Sequence, residues 1–202
     1  MLAINLNTPV NLACLFDSSD LKDTGIEVES HITILYAQGK EIPDDELLQD
    51  IKDILGESDY TWLKNMIEGD ESYQVLDSFE LDLFQNDSDY LILKLKKGTE
   101  LYRLLRLVNK SLALKYGVKS EFNEYIPHLS LAELKPGTGK KYLNSATIRE
   151  VLEDSIYELE DLFISWGPSG EPEDRKYKYL TSYKCIPRFF RLLGLKKEIE
   201  EL

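Results

Sequence analysis

The sequence predicts an α+β fold, with strands and helices in separate runs instead of long alternating βα units. Three observations carry that expectation. The segments His31–Tyr36 (HITILY) and His128–Leu134 (HLSLAEL) alternate with the period of two of a half-buried strand. Leu47–Leu55 and Leu101–Leu112 instead place apolar residues at helical spacing. Two strand-like runs, Tyr73–Phe84 and Tyr90–Lys96, are joined by the short polar stretch Gln85–Asp89 and read as a hairpin.

Taken in order, Asn11–Asp17 reads as a short buried strand, Ser18–Glu29 as a polar loop and His31–Tyr36 as a strand. Pro43 opens a helix whose first turn holds Asp44, Asp45 and Glu46, where carboxylates complement the helix dipole. Leu47, Leu48, Ile51, Ile54 and Leu55 form its apolar stripe, Gly56 stops it, and a second short helix follows near Tyr60–Ile67. After the hairpin, Thr99 caps a helix to about Tyr116, with Gly117 at its end. His128–Leu134 is entered through Pro127, Lys135–Lys141 is a loop, and Ser145 caps a helix to about Glu153. Ile156–Trp166 and Tyr177–Lys184 are the last strands, separated by the turn-rich Gly167–Asp174, and Pro187–Leu202 closes as a helix. The two histidine-bearing strands read as equivalent parts of two similar lobes. The expectation is therefore one bilobal domain over residues 1–202, with antiparallel or mixed sheets flanking a central cleft. A strand and helix from about residue 175 extend it.

At 202 residues the chain can bury a core without staples. Its two cysteines, Cys14 and Cys185, form neither a disulfide framework nor a zinc-type spacing, which points to a reducing cytoplasm. No run approaches the roughly 18 apolar residues of a membrane span, so no membrane partner is expected. The net charge is −13, with 21 acidic and 4 basic residues in positions 1–90. Such a chain repels long nucleic acid, whereas a small anionic ligand in a pocket remains compatible with it. The stretch Arg175–Lys197 holds eight basic residues and no acid. With Tyr177, Tyr179, Tyr183, Phe189 and Phe190 it could bind nucleic acid; pairing with the acidic half is the favoured expectation.

The chemistry is concentrated at the chain's two histidines. His31-Ile32-Thr33-Ile34 and His128-Leu129-Ser130-Leu131 share one pattern: histidine, apolar, hydroxyl, apolar. One histidine fits it by chance roughly one time in forty at average composition, and both on the order of one in a thousand. In a strand, alternate residues share a face, so each motif offers an imidazole and a hydroxyl to the same side and apolar residues to the core. One imidazole can act as general base on an attacking hydroxyl or water, the other as general acid on the leaving oxygen. The hydroxyls of Thr33 and Ser130 can donate to the non-bridging oxygens of a phosphate. This is a set suited to phosphodiester cleavage. No cofactor is expected, and no convincing metal-ligand set is visible.

These motifs resemble those of the two-histidine (2H) phosphoesterase superfamily, with its two His-x-Thr/Ser-x motifs on strands of two pseudo-symmetric lobes. The resemblance covers about Asn11 to Trp166 in element order and is sharp at the motifs. Tyr125-Ile126-Pro127, leading into the second motif, is also similar to the family. The resemblance implies that His31 and His128 are the catalytic pair and that Thr33 and Ser130 bind phosphate. The superfamily includes RNA-end cyclic phosphodiesterases, 2′-5′ RNA ligase-like proteins, 2′-5′ oligoadenylate phosphodiesterases and viral anti-CBASS enzymes that degrade cyclic oligonucleotide signals. HITILY looks most like the viral subgroup, which implies immune evasion in a host cytoplasm.

The expected function is thus a metal-independent phosphodiesterase acting on a small, cyclic oligonucleotide. The alternatives are an RNA-end 2′,3′-cyclic phosphodiesterase or 2′-5′ ligase-like enzyme, and a protein that sequesters nucleotides without chemistry. Three further residues are candidate ligand contacts. Tyr36 follows the first motif. Trp166 ends a strand where an aromatic could stack a base, worth ~1–3 kcal/mol, against an equal case for a core tryptophan. Lys140, in Pro136-Gly137-Thr138-Gly139-Lys140-Lys141, could reach a phosphate. That segment is not a phosphate-binding loop of the Walker type, because Leu134 stands for the first glycine and Lys141 for Ser/Thr. Glu133, five residues from His128, is expected on the opposite face.

Overall fold

The structure is a computed structural model that describes residues 1–7, 13–26, 30–37, 42–69, 72–119, 124–166 and 176–181. Nine strands among these residues join one curled sheet in which every pairing is antiparallel. They are β1 (Leu2–Asn7), β2 (Leu21–Ile26), β3 (His31–Leu35), β4 (Tyr73–Gln74), β5 (Phe79–Gln85), β6 (Asp89–Leu95), β7 (His128–Leu134), β8 (Ile156–Trp166) and β9 (Lys176–Tyr179). The order across the sheet is β4-β8-β1-β3-β7-β6-β5, with β2 added to β7 and β9 to β8. The helices are α1 (Asp44–Glu68), α2 (Val75–Ser78), α3 (Glu100–Tyr116), α4 (Gly139–Leu143) and α5 (Ala146–Glu153).

Helices α1 and α3 pack on each other and on the sheet. Leu47, Ile51 and Leu63 of α1 and Leu104, Leu105 and Leu112 of α3 share a buried cluster with Leu2, Ile4, Ile32, Leu91, Leu93 and Leu129 of the strands. Those strand residues are the alternate positions of β1, β3, β6 and β7, so one sheet face is the core and the other carries the intervening side chains. Each fully buried leucine or isoleucine contributes roughly 1.5–3 kcal/mol relative to exposure.

The helix signals hold. Thr99 accepts from the Tyr102 N–H at 3.3 Å, and Ser145 accepts from the Ile148 N–H at 3.3 Å. Gly117 ends α3 in the left-handed conformation (φ 61°, ψ 33°), which glycine adopts without strain. Gly56 (φ 70°, ψ 172°) breaks α1, separating the two helical segments that the sequence distinguishes.

Four expectations are corrected. Asn11–Asp17 is not a strand: Ala13–Leu15 forms a 3₁₀ turn, Asp17 lies beyond it, and residues 11 and 12 fall outside the described ones. Ser18–Glu29 is not all loop, because β2 extends the sheet beside β7. The run from Tyr73 is interrupted by α2, where the Val75 N–H turns to the Ser155 carbonyl at 2.8 Å. In Lys135–Lys141 the residues from Gly139 open α4. At the C-terminus β9 covers part of the expected last strand, while Gly167–Asp174 and the expected helix Pro187–Leu202 lie outside the described residues.

Candidate active site

β3 and β7 are neighbours at the middle of the sheet, paired antiparallel with Ile32 opposite Leu129. Continuing that register sets Thr33 opposite His128 and His31 opposite Ser130. Ile32 and Leu129 are 0% and 2% exposed in the core. Their neighbours His31, Thr33, His128 and Ser130, all half-buried, therefore share the face turned away from α1 and α3. The result is a square of two imidazoles and two hydroxyls, each histidine facing the other motif's hydroxyl.

His128 is held from two sides. Its Nδ1 lies 2.7 Å from the Ile126 carbonyl oxygen. A carbonyl can only accept, so Nδ1 carries the proton and Nε2 of the neutral ring keeps its lone pair. Phe84 of β5 meets the ring edge-to-face, with centroids 4.9 Å apart at 74°. Burial lowers the imidazole below its usual range; the bond to Ile126 opposes this and nearby His31 reinforces it. His31 has an aromatic neighbour as well, with Phe163 of β8 at 6.1 Å and 84°.

The backbone beneath the hydroxyls is fixed. Tyr125 donates its phenol to the Thr33 carbonyl at 2.9 Å, and Asn109 donates from Nδ2 to the Ile34 carbonyl at 2.7 Å. Burial raises the Tyr125 phenol far above its ordinary range, so it stays a donor. The Thr33 hydroxyl itself donates to the Met1 sulfur at 3.3 Å. Thioether sulfur is a weak acceptor that a phosphate oxygen outcompetes.

Beside the square lies a cavity of about 1030 Å³ that Thr33, His128, Ser130, Tyr36 and Phe84 help to line together with Asn109 and Ala113 of α3; His31 stands in the square but is not among the lining residues. Tyr36 is thus at the cleft, 58% exposed. Lys140 is not: it is exposed on α4, whose Gly139 N–H is tied to the Asp89 carboxylate of β6 at 2.8 Å, and it does not line the cavity. This segment keeps its glycine for close packing, because a Cβ at Gly139 would stand 2.5 Å from Leu83 Cδ1. Trp166 ends β8 opposite Lys176, and its side chain lies outside the described residues.

Three residues near the square were not among the candidate site residues. Phe84 offers no motif. Lys94 stands opposite His128 on β6, its ammonium held by Asp82 at 2.5 Å and Glu80 at 3.1 Å. Glu133 corrects an expectation. The β6–β7 register runs Ile92 to Ser130 and then Leu91 to Ala132, which makes Leu131 a bulge. The extra residue reverses the alternation. Ala132 and Leu134 enter the core, and Glu133 comes to the histidine face, accepting from Ser88 Oγ at 2.7 Å and from the Tyr90 phenol at 3.0 Å.

Among the described residues, no group of three or more His, Cys, Asp or Glu side chains could hold a metal ion, and no helix is long and apolar enough to cross a membrane. Compared with known proteins, the chain matches no family model and no curated sequence.

Proposed function

We propose that this chain is a phosphodiesterase of the two-histidine type, acting on a small oligonucleotide. The observation that carries the proposal is the cross-strand square, in which two imidazoles and two hydroxyls from separate sequence motifs share one sheet face. The bilobal arrangement is part of the same proposal. Outward from the β3–β7 pair come β1 and β6, then β8 and β5. The aromatic rings against His31 and His128 come from β8 and β5, two strands out on either side.

The environment of His128 suits it to the base. Its neutral ring, fixed through Nδ1, takes a proton at Nε2 from the attacking hydroxyl, a ribose 2′-hydroxyl or a water. That oxygen bonds to phosphorus, the bond to the leaving oxygen breaks, and protonated His31 delivers its proton to the leaving oxygen. Thr33 and Ser130 donate to the non-bridging oxygens as charge builds there.

Two features favour a small substrate. The cavity of about 1030 Å³ reaches the top of the ~300–1,000 Å³ typical of small-molecule sites, so it has room for more than one nucleotide. The net charge of −13 opposes long strands. A cyclic di- or trinucleotide fits both, and degradation of such a signal to evade host nucleotide-based antiviral defence is the biological role we assign. The test is incubation with cyclic dinucleotides, cyclic trinucleotides, 2′-5′ oligoadenylates and 2′,3′-cyclic-ended RNA, with chelator present and products identified. Cleavage of cyclic oligonucleotides with a flat salt response is expected. Preference for long RNA with a steep salt slope would point to RNA ends instead, and recovery of every ligand intact would leave only a binding protein.

A further inference from the structure

We infer that the tip of the β5–β6 hairpin reads the nucleobase next to His128, through the carboxamides of Gln85 and Asn86. This rests on the phosphodiesterase proposal and extends it to base selection. The tip begins at the square itself, since the Phe84 ring is 4.9 Å from that of His128. Gln85 and Asn86 follow Phe84 directly, at ~3.3 Å per residue of extended chain. Both line the cavity.

The tip is anchored in a way an ordinary exposed turn is not. Ser88 and Asp89 are each 2% exposed although polar. Ser88 donates to Glu133 at 2.7 Å, and Asp89 accepts from the Gly139 N–H at 2.8 Å. The Asn86 N–H closes the turn on the Ser88 carbonyl at 2.9 Å. Three elements (β7, α4 and the hairpin itself) therefore fix the tip, which is the preorganisation that base readout needs.

The polar groups divide into used and available. The Tyr90 phenol is committed to Glu133. Gln85 makes one long bond, from Nε2 to Asp89 at 3.4 Å, which leaves its oxygen and second N–H. The Asn86 carboxamide has no hydrogen-bond partner among the described residues. A carboxamide offers one acceptor beside a donor, the complement of a base edge such as adenine N6/N7, and a bidentate pair of this kind discriminates bases by roughly 5- to 150-fold. A phosphate contact would call for cations instead, and the tip residues 85–88 (QNDS) carry none.

The experiment measures kcat/KM on linear and cyclic dinucleotides of mixed base, varying one base at a time and identifying the linkage cut, for wild type, Gln85→Ala and Asn86→Ala. Both changes are at exposed positions of the turn. The expected result is a base preference of at least about fivefold on one side of the cut linkage only, lost in Asn86→Ala and weakened in Gln85→Ala. Wild-type cleavage with no base preference, or a preference that survives both substitutions, would overturn the inference and leave the phosphodiesterase proposal standing. No cleavage of any member would overturn both.

Discussion

Replacing Gly139 by alanine probes the seat of the hairpin tip. The new Cβ would stand 2.5 Å from Leu83 Cδ1 and 2.9 Å from both Cβ and Oδ2 of Asp89, where ordinary contact begins at 3.4 Å. The leucine methyl can swing away; the Asp89 Cβ is fixed to the β6 backbone and cannot. Overpacking of this kind costs about 1–3 kcal/mol. If α4 lifts off to relieve it, the 2.8 Å bond from the Gly139 N–H to Asp89 is lost. A hydrogen bond to a carboxylate contributes ~1.5–3 kcal/mol, so the two together come to about 2.5–6 kcal/mol. For a chain of 202 residues that corresponds to a fall in Tm of roughly 5–25 °C. Urea denaturation checks it, as a lower midpoint at unchanged slope. The base preference assigned to Gln85 and Asn86 should weaken in the same variant. A midpoint equal to wild type would refute the account of why glycine stands there.

Other outcomes follow from the same geometry. His128 is depressed below its ordinary 6.5 by burial, so below that pH the unfolded chain binds the proton more readily. Its contribution to stability is complete above about pH 6.5 and is lost as the pH falls toward the folded-state value; an NMR titration midpoint at or above 6.5 would contradict this. Leu129→Ala should cost ~2–5 kcal/mol by opening a cavity under the square, whereas Ser130→Ala, one residue on, should leave the urea midpoint within ~1 kcal/mol and lower turnover. Thr99→Ala should cost ~0.5–2 kcal/mol through the lost cap of α3, read as a shift in the same midpoint.

Each half of the square was legible in the sequence because a period of two leaves little freedom: once His31 and Thr33 flank a core isoleucine, both must face away from the core, whereas the β3–β7 pairing that joins the halves is written in neither motif. Caps were legible for a similar reason, since Thr99 and Gly117 act on backbone groups within a few residues. Glu133 was not legible. Its side depends on the bulge at Leu131, which arises where β7 meets β6 and β2 together, and nothing local to HLSLAEL announces an extra residue. Phe84 was missed because its contact with His128 spans from β5 to β7 across the intervening β6, a consequence of sheet curl that a strand pattern does not encode. Gly139 read as a loop glycine because its close contacts come from β5 and β6, remote in sequence. β2 (LKDTGI) has too few apolar residues to read as a strand; it owes its conformation to the open edge of β7.

The central claim is that His31 and His128 work as one acid–base pair, and turnover of the best cyclic or linear dinucleotide in excess chelator tests it most directly. General acid–base catalysis contributes typically ~10²–10⁴-fold per group, so His31→Ala and His128→Ala should each lose at least about a hundredfold in kcat while the folded chain is retained. The double variant should fall by less than the product of the two losses, as expected of groups that act in one transition state. Wild-type turnover in either single variant would contradict the claim.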